Sequence, residues 1–331
     1  MEAVNKDGKK IKNIAILTSG GDAPGMNACI RATTRYALAK GLKVFGIERG
    51  YSGLIEDQVK EMNSRSVSDI IQRGGTILRT ARCPEFETIE GQEKAVKTLK
   101  KYDIDALVVI GGNGSLMGAK DLTTNFGINT VGIPGTIDND LQYTDYTLGF
   151  DTAVNTCLSA INNLRDTMTS HDRISIVEVM GRKCGDIAMY TALCGGAENV
   201  VVPEVPLDII GISNRLTENA AKGKNSDIII LAEGVCHAEE LKIMLKGISP
   251  KLSIRCTTLG HIQRGGSPTM MDRQLAAKFA IRAVDLLLEG KSQRAVGIHN
   301  NEIIDYDIVE AVKMKRKFNN ALYEQINILS L

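Results

Sequence analysis

The chain has 331 residues, a formal net charge of +1 and 43% hydrophobic residues. That is long enough for two packed domains, and too nearly neutral for bulk attraction to nucleic acid or an anionic membrane. Aromatics make up 4% with no tryptophan, which disfavours stacking on bases, and seven cysteines without a C-x-x-C pair argue against a zinc site or disulfide framework.

Odd, scattered cysteines, a polar start without the apolar segment of a signal peptide, and no run of membrane-spanning length together predict a soluble cytoplasmic protein. Ile14–Leu17 reads as a short buried strand, Thr18–Asn27 as a glycine loop and Ala28–Lys40 as a helix. Strand, glycine loop and helix in that order aim backbone N–H groups at a phosphate. No Gly-Lys-Ser/Thr follows, so the loop is not a Walker A. Gly-Gly-x-x-x-Gly is not the dinucleotide spacing either. Arg31 and Arg35 share a helix face, suiting either a phosphorylated ligand or a solvated basic surface. Lys43–Ile47 is the next strand and Gly50–Gly53 its turn. Asp69–Gln72 reads as a short helix before the glycine-arginine loop Arg73–Arg82, and Gln92–Tyr102 as a longer one.

Two apolar strands then carry loops suited to phosphate chemistry. The first is Ala106-Leu-Val-Val-Ile-Gly-Gly-Asn113-Gly-Ser115 and the second Asn129-Thr-Val-Gly-Ile-Pro-Gly-Thr136-Ile-Asp138-Asn-Asp140. Apolar runs without alternation suggest parallel strands buried on both faces, and such sheets bind ligands beyond their carboxyl ends. One loop is glycine-rich for close phosphate approach; the other offers a hydroxyl and two carboxylates, one to accept a proton and one to help hold a metal.

The alternation pauses near Tyr143–Gly149 and restarts. Thr152–Arg165 reads as a helix, Arg173–Met180 as a strand closed by Gly181–Gly185, and Gly185–Cys194 as a helix. Asn199–Val202, Ser226–Glu233 and Ser253–Thr258 are further strands, followed by the Leu259–Pro268 loop and an Asp272–Leu288 helix. The expected fold is α/β: two doubly wound lobes with mostly parallel sheets and the active site in the cleft between them. One lobe would span residues 1–148 with about 266–314 packing back, and the other 149–265 with about 315–331. Strand ends offer Gly, Ser and Asp in the first lobe but Arg, His and Glu in the second, suggesting a nucleotide lobe and a lobe for an anionic, hydroxylated substrate.

The stretches Thr18–Asn27, Pro134–Asp140, Val179-Met-Gly-Arg182 and Leu259-Gly-His-Ile-Gln-Arg-Gly-Gly266 resemble the bacterial 6-phosphofructokinase family, over about Ile11 to residue 317. The resemblance implies Mg²⁺-dependent transfer of the γ-phosphoryl group of ATP to the 1-hydroxyl of fructose 6-phosphate. It makes Asp138 the base, Thr136 an orienting hydroxyl and Arg182 the balance for charge on the moving phosphoryl. Gly21, Tyr51, Arg82, Cys83, Gly112, Asn113, Gly114, Ser115 and Gly118 fall where the family holds ATP. Thr136, Asp138, Met180, Gly181, Arg182, Glu233, His261, Gln263 and Arg264 match the sugar-phosphate site, with Arg173 and Arg255 matching arginines supplied by a neighbouring subunit. A homotetramer is therefore implied. Gly114 and Gly135 stand where pyrophosphate-using relatives carry aspartate and lysine, which favours ATP as donor.

An effector site for ADP or phosphoenolpyruvate is likewise implied at Arg31, Arg35, Ser64, Arg65, Ser66, Val67, Ser68, Asp69, Arg165, Gly196, Ala197, Glu198, Lys222, Lys224, Asn225 and Ser226. The resemblance makes Glu198 a metal contact there, and Asp140 and Asn113 the contacts of the catalytic Mg²⁺. Four positions depart from the family. Asn113 replaces its aspartate, Ser64 and Ser226 replace its arginine and histidine, and Arg79 replaces a small residue. Asparagine keeps an acceptor oxygen but loses the charge. Weakened catalysis is one expectation, and a regulatory paralogue that binds sugar phosphate and nucleotide is the alternative.

Overall fold

The computed structural model describes residues 11–169, 173–224 and 226–330. Its elements run β1 (Asn13–Ser19), α1 (Met26–Ala39), β2 (Lys43–Ile47), α2 (Gly50–Ile55), β3 (Val59–Met62), α3 (Ile89–Lys101), β4 (Ala106–Gly111), α4 (Asn113–Phe126) and β5 (Asn129–Pro134). There follow α5 (Phe150–Thr169), β6 (Ile174–Val179), α6 (Asp186–Gly195), β7 (Asn199–Val201), α7 (Ile209–Ala221), β8 (Ile228–Ala232), α8 (Ala238–Ile248) and β9 (Ile254–Thr258). The chain closes with α9 (Met270–Leu288), β10 (Arg294–His299), β11 (Glu302–Asp307), α10 (Ile308–Ala311) and α11 (Asn320–Leu329).

These elements form two compact units. The first contains residues up to Ile137, then Leu141–Asp151 and Arg264–Arg316; the second contains Asp138–Asp140, Thr152–Gln263 and Lys317 onward. In the first, a seven-stranded sheet has the order β11-β10-β5-β4-β1-β2-β3. Strands β2, β1, β4, β5 and β10 are parallel, while β3 and β11 pair antiparallel at the edges. Every residue of β4 is buried, as its unbroken apolar run predicts for a strand covered on both faces. Leu17, Leu107 and Leu116 pack into one core with Tyr51, Phe86 and Leu99. On the first unit's periphery, α9 is tied to α1 by Tyr36, whose hydroxyl donates to Asp285 at 2.8 Å.

The second unit holds four parallel strands in the order β7-β8-β6-β9. Strands β6 and β8 are buried throughout, and Ile176, Ile229 and Leu231 pack with Leu216, Leu241 and Leu245 of α7 and α8.

Two local expectations change, and two strands are new. Gly50–Ile55 is a short helix rather than a turn, entered through Arg49 and Gly50 in left-handed conformations. Gly53 fits because a Cβ there would lie 1.6 Å from the Glu48 carbonyl oxygen. Asp69–Gln72 forms turns rather than a helix, with Asp69 left-handed at φ 54°. Arg294–His299 and Glu302–Asp307 are strands that no long apolar run announces.

Candidate active site

In the first unit the strand order reverses at β1, which is flanked by β2 on one side and β4 on the other. A crevice opens at such a switch, outside the carboxyl ends of the strands. A cavity of about 460 Å³ lies there, lined by Ser19 and Gly20 after β1, Gly114 and Gly118 on α4, Tyr51 of α2, and the Arg82–Cys83 segment. It thus gathers Tyr51, Arg82, Cys83, Gly114 and Gly118 from the residues marked for nucleotide. Gly112 caps α4 and Asn113 begins it, exposed, so the first-turn N–H groups sit at the cavity's edge. Nothing lies within 4 Å of a Cβ built on Gly114, so this mouth has room for a bulky anion.

The floor is made by Tyr51. Its ring stacks on Phe86 with centroids 4.0 Å apart, and its hydroxyl donates to the Ser115 carbonyl at 2.6 Å. Burial pushes the Tyr51 phenol well above its ordinary range, so it stays a neutral donor. Gly118 is needed for this contact, since a Cβ there would meet the Tyr51 ring at 2.7 Å. The Arg73–Arg82 loop is held from beneath. Buried Asn27 donates to the carbonyls of Arg73 and Gly74 and accepts the Ile77 N–H at 2.7 Å. Thr18 donates to the carbonyl of Arg79, which is left-handed at φ 56°. Arg264 also belongs to this unit: its guanidinium donates to the Asp22 carbonyl at 3.4 Å and lies over Gly21, where a Cβ would be 2.1 Å away. Thr136 follows β5 and receives the Thr147 hydroxyl on its carbonyl at 2.6 Å.

In the second unit the carboxyl ends of β6, β8 and β9 deliver Met180–Arg182, Glu233 and His261 to one end of the sheet. Asp138–Asp140 cluster with this unit. Asp138 is 2% exposed, and Nε of Arg182 lies 3.3 Å from its Oδ2. Arg182 is left-handed at φ 53°, and its N–H donates to Glu233 Oε1 at 2.9 Å. Gly181 has φ 136°, a conformation closed to other residues, with the Cys184 carbonyl 2.4 Å from where a Cβ would stand. Asn139 is anchored by its amide to Asp186 at 2.8 Å. Asp140 keeps Oδ1 buried with no hydrogen-bond partner among the described residues. That orphaned oxygen suits a hydrated divalent cation, which is satisfied by few protein ligands and its own waters. Arg173 and Arg255 do not join this mouth. One precedes β6 and the other is the second residue of β9, so both lie at the amino ends.

A family model for phosphofructokinase matches residues 13–287. The chain is 59% identical over 97% of its length, and the whole of the relative's, to an ATP-dependent 6-phosphofructokinase from Clostridium botulinum. It is 57% identical, with the same coverage, to one from Thermoanaerobacter. The chain belongs to the phosphofructokinase family. A solved phosphofructokinase from Saccharomyces cerevisiae superposes with a TM-score of 0.86 at 34% identity, covering 96% of this chain and 48% of the yeast chain. A pyrophosphate-dependent phosphofructokinase from Marinobacter aquaeolei shares the fold, with a TM-score of 0.83, 21% identity, and coverage of 94% of this chain and 86% of its own.

The residues matching the phosphofructokinase effector site fall in both units. Arg31 and Arg35 lie on α1, and Ser64, Arg65, Ser66, Ser68 and Asp69 are exposed around buried Val67. Arg165 donates to the Gly195 carbonyl at 2.7 Å and to that of Gly196, beside Ala197. Glu198 is almost buried and has both oxygens engaged, accepting the Ile228 N–H at 2.6 Å and facing Lys224 Nζ at 2.8 Å. A cation at Glu198 would have to displace Lys224. Burial raises the neighbouring Asp227 carboxyl, against the hydrogen bond from Asn219, and the charge of Glu198 raises it further. Lys222 caps α7, Ser226 precedes β8, and Asn225 lies outside the described residues.

Motif reading passed over two side chains. Glu204 accepts the Gly185 N–H at 2.8 Å at the start of α6. Glu178 accepts the N–H of Ala238 at 2.8 Å and the Thr258 hydroxyl at 3.3 Å. Both partner the backbone or strands around the mouth, across separations that no local spacing reveals.

Proposed function

We propose that this chain transfers the γ-phosphoryl group of ATP to the 1-hydroxyl of fructose 6-phosphate, giving fructose 1,6-bisphosphate and ADP in the cytoplasm as a step of glycolysis. The observation that carries the reading is the buried Asp138 carboxylate paired with a guanidinium that is 61% exposed. Asp138 takes the proton of the attacking hydroxyl, and Arg182 turns from the carboxylate towards the charge of the phosphoryl in flight. Thr136 orients the reacting groups. Phosphoryl transfer asks for this division of labour, because positioning and charge stabilisation supply most of its catalysis.

In this reading the first unit holds the nucleotide. Its base end occupies the cavity beside Tyr51, Arg82 and Cys83, and its phosphates meet Gly21, Gly112, Asn113, Gly114 and Ser115 at the start of α4. Open space at Gly114 supports ATP over pyrophosphate. Met180, Gly181, Glu233, His261 and Arg264 bind the sugar phosphate, and Arg173 and Arg255 complete the clamp of a neighbouring copy in a homotetramer. Mg²⁺ would be held by Asp140 and Asn113, where it neutralises nucleotide charge. ADP or phosphoenolpyruvate would act through the Arg31, Arg35, Arg165, Glu198 and Lys224 set.

The second reading is a regulatory paralogue, favoured only by Asn113. A coupled assay of fructose 1,6-bisphosphate formation decides between them, with fructose 6-phosphate binding measured alongside. Turnover supports the kinase; binding without turnover, in the parent and in Asn113→Asp, supports the paralogue.

A further inference from the structure

The turn from Met180 to Gly185 has a backbone that side chains hold at three points. The N–H of Met180 goes to Gln263 at 3.1 Å, that of Arg182 to Glu233 at 2.9 Å, and that of Gly185 to Glu204 at 2.8 Å. The turn needs such support, because Gly181 and Arg182 both sit at positive φ. Gln263 differs from the other two in its placement. It is 0% exposed, so its amide cannot reach a ligand in the mouth.

Its amide is nonetheless well used. Oε1 accepts from Met180 N–H at 3.1 Å and from the Cys157 thiol at 3.2 Å, while Nε2 donates to the Gly260 carbonyl at 3.0 Å. Two donors face one end and an acceptor the other, so chemistry sets the orientation of the amide. The side chain therefore joins the turn after β6 to the turn after β9 and braces both on α5.

We infer that Gln263 is a positioning residue for phosphoryl transfer, which sets the Met180–Arg182 backbone and through it the place of the Arg182 guanidinium beside Asp138. This rests on the kinase reading above. Gln263 touches neither substrate nor the reacting atoms; its effect reaches them through one backbone N–H and two residues of chain. A misplacement of about 1 Å at a reacting group can cost about a hundredfold in rate.

Two substitutions test it. Gln263→Leu removes all three hydrogen bonds at any pH. Gln263→Glu keeps the shape and the Oε1 acceptor, but the atom facing Gly260 donates only while the carboxyl is protonated. Burial favours that neutral form and raises its pKa, so the bond is present at low pH and lost as pH rises through the raised value. The expected result with Gln263→Leu is a fall of about ten- to a hundredfold in kcat/KM for fructose 6-phosphate, with the KM for ATP within about twofold of the parent. For Gln263→Glu, activity relative to the parent should decline from about pH 6 to about pH 8.5, whereas the Leu-to-parent ratio stays constant.

A Glu-to-parent ratio that does not change with pH overturns the inference. So does a Gln263→Leu enzyme with a lowered Tm but unchanged kinetic constants, or one whose KM for ATP rises as steeply as its kcat/KM for fructose 6-phosphate falls. If Gln263→Leu does not fold, the pH ratio of Gln263→Glu decides alone. A parent without turnover overturns the kinase reading instead, and the same ratio is then read from fructose 6-phosphate affinity by calorimetry. A parent that neither turns over nor binds the sugar phosphate overturns both.

Discussion

The mouths of the two sheets are built on opposite plans. In the first unit the strand-end loops work by leaving side chains out: Gly20, Gly114 and Gly118 line the cavity beside a neutral Tyr51, Gly114 with open space and Gly118 in close contact with the ring. In the second the loops work by placing side chains, and each charge is held by another group: Asp138 by Arg182, Arg182's backbone by Glu233, and Gly185 by Glu204. The first plan is most sensitive to an added atom where a neighbour stands close, as at Gly118. The second tolerates little change in charge or size.

The sharpest test of this contrast is Asp138→Asn. It should lower kcat by about 10²- to 10⁴-fold, the usual worth of a general base, while fructose 6-phosphate affinity by calorimetry changes little. Retention of most activity would remove Asp138 from the chemistry. Asn113→Asp could break the contrast from the other side. Two unit charges about 4 Å apart interact by roughly 4 kcal/mol at an effective dielectric near 20. Even part of that should raise kcat about ten- to a thousandfold and lower the Mg²⁺ needed for half-maximal rate. An unchanged rate across an Mg²⁺ titration would mean that the backbone cradle suffices.

Gly118→Val comes next in size. Its Cβ falls 2.7 Å from the Tyr51 ring, so the ring must move or the helix must shift. Overpacking of this kind costs about 1–3 kcal/mol, and the KM for ATP should rise about tenfold or more while the KM for fructose 6-phosphate holds. Equal changes in both constants would mean that the strain spreads beyond the nucleotide cavity.

The smallest effect concerns charge far from either mouth. Burial pushes the Asp305 carboxyl up, but hydrogen bonds from Arg282 and Arg294 outweigh it and hold the group below its ordinary value of 3.8. The pairing therefore stabilises the fold fully above about pH 3.8, and the contribution is lost as pH falls through the lowered value. Asp305→Asn should remove about 1 kcal/mol of the stability present above that pH and so flatten the acid side of a Tm-versus-pH curve. A slope identical to the parent's would show that the acid response arises elsewhere.

What the sequence made legible follows the physics of each feature. Unbroken apolar runs such as Ala106–Ile110 announce doubly covered strands, and their trailing glycines announce the loops, because both signals are local. Gly50–Ile55 misleads because its glycines read as a turn, whereas Gly53 is there to let the Glu48 carbonyl approach a short helix. Glu302–Asp307 hides because an edge strand is only partly covered and needs no apolar run. The second unit's pins were the least legible. Glu204 reaches Gly185 across 19 residues, and Gln263 reaches Met180 across 83, so their pairing exists only in the fold. Gln263 reads as a ligand by its motif, whereas in the fold it is buried and hydrogen-bonds Met180, Cys157 and Gly260.

Asn27 has a practical consequence. It grips the 73–77 loop entirely through main-chain atoms, so the loop's path does not depend on which side chain stands at exposed position 73. A fluorescent label attached there would ride on a fixed rail rather than a swinging tether. The protein thereby offers a built-in anchorage for an optical reporter a few residues upstream of the cavity-lining Ala81–Cys83 segment.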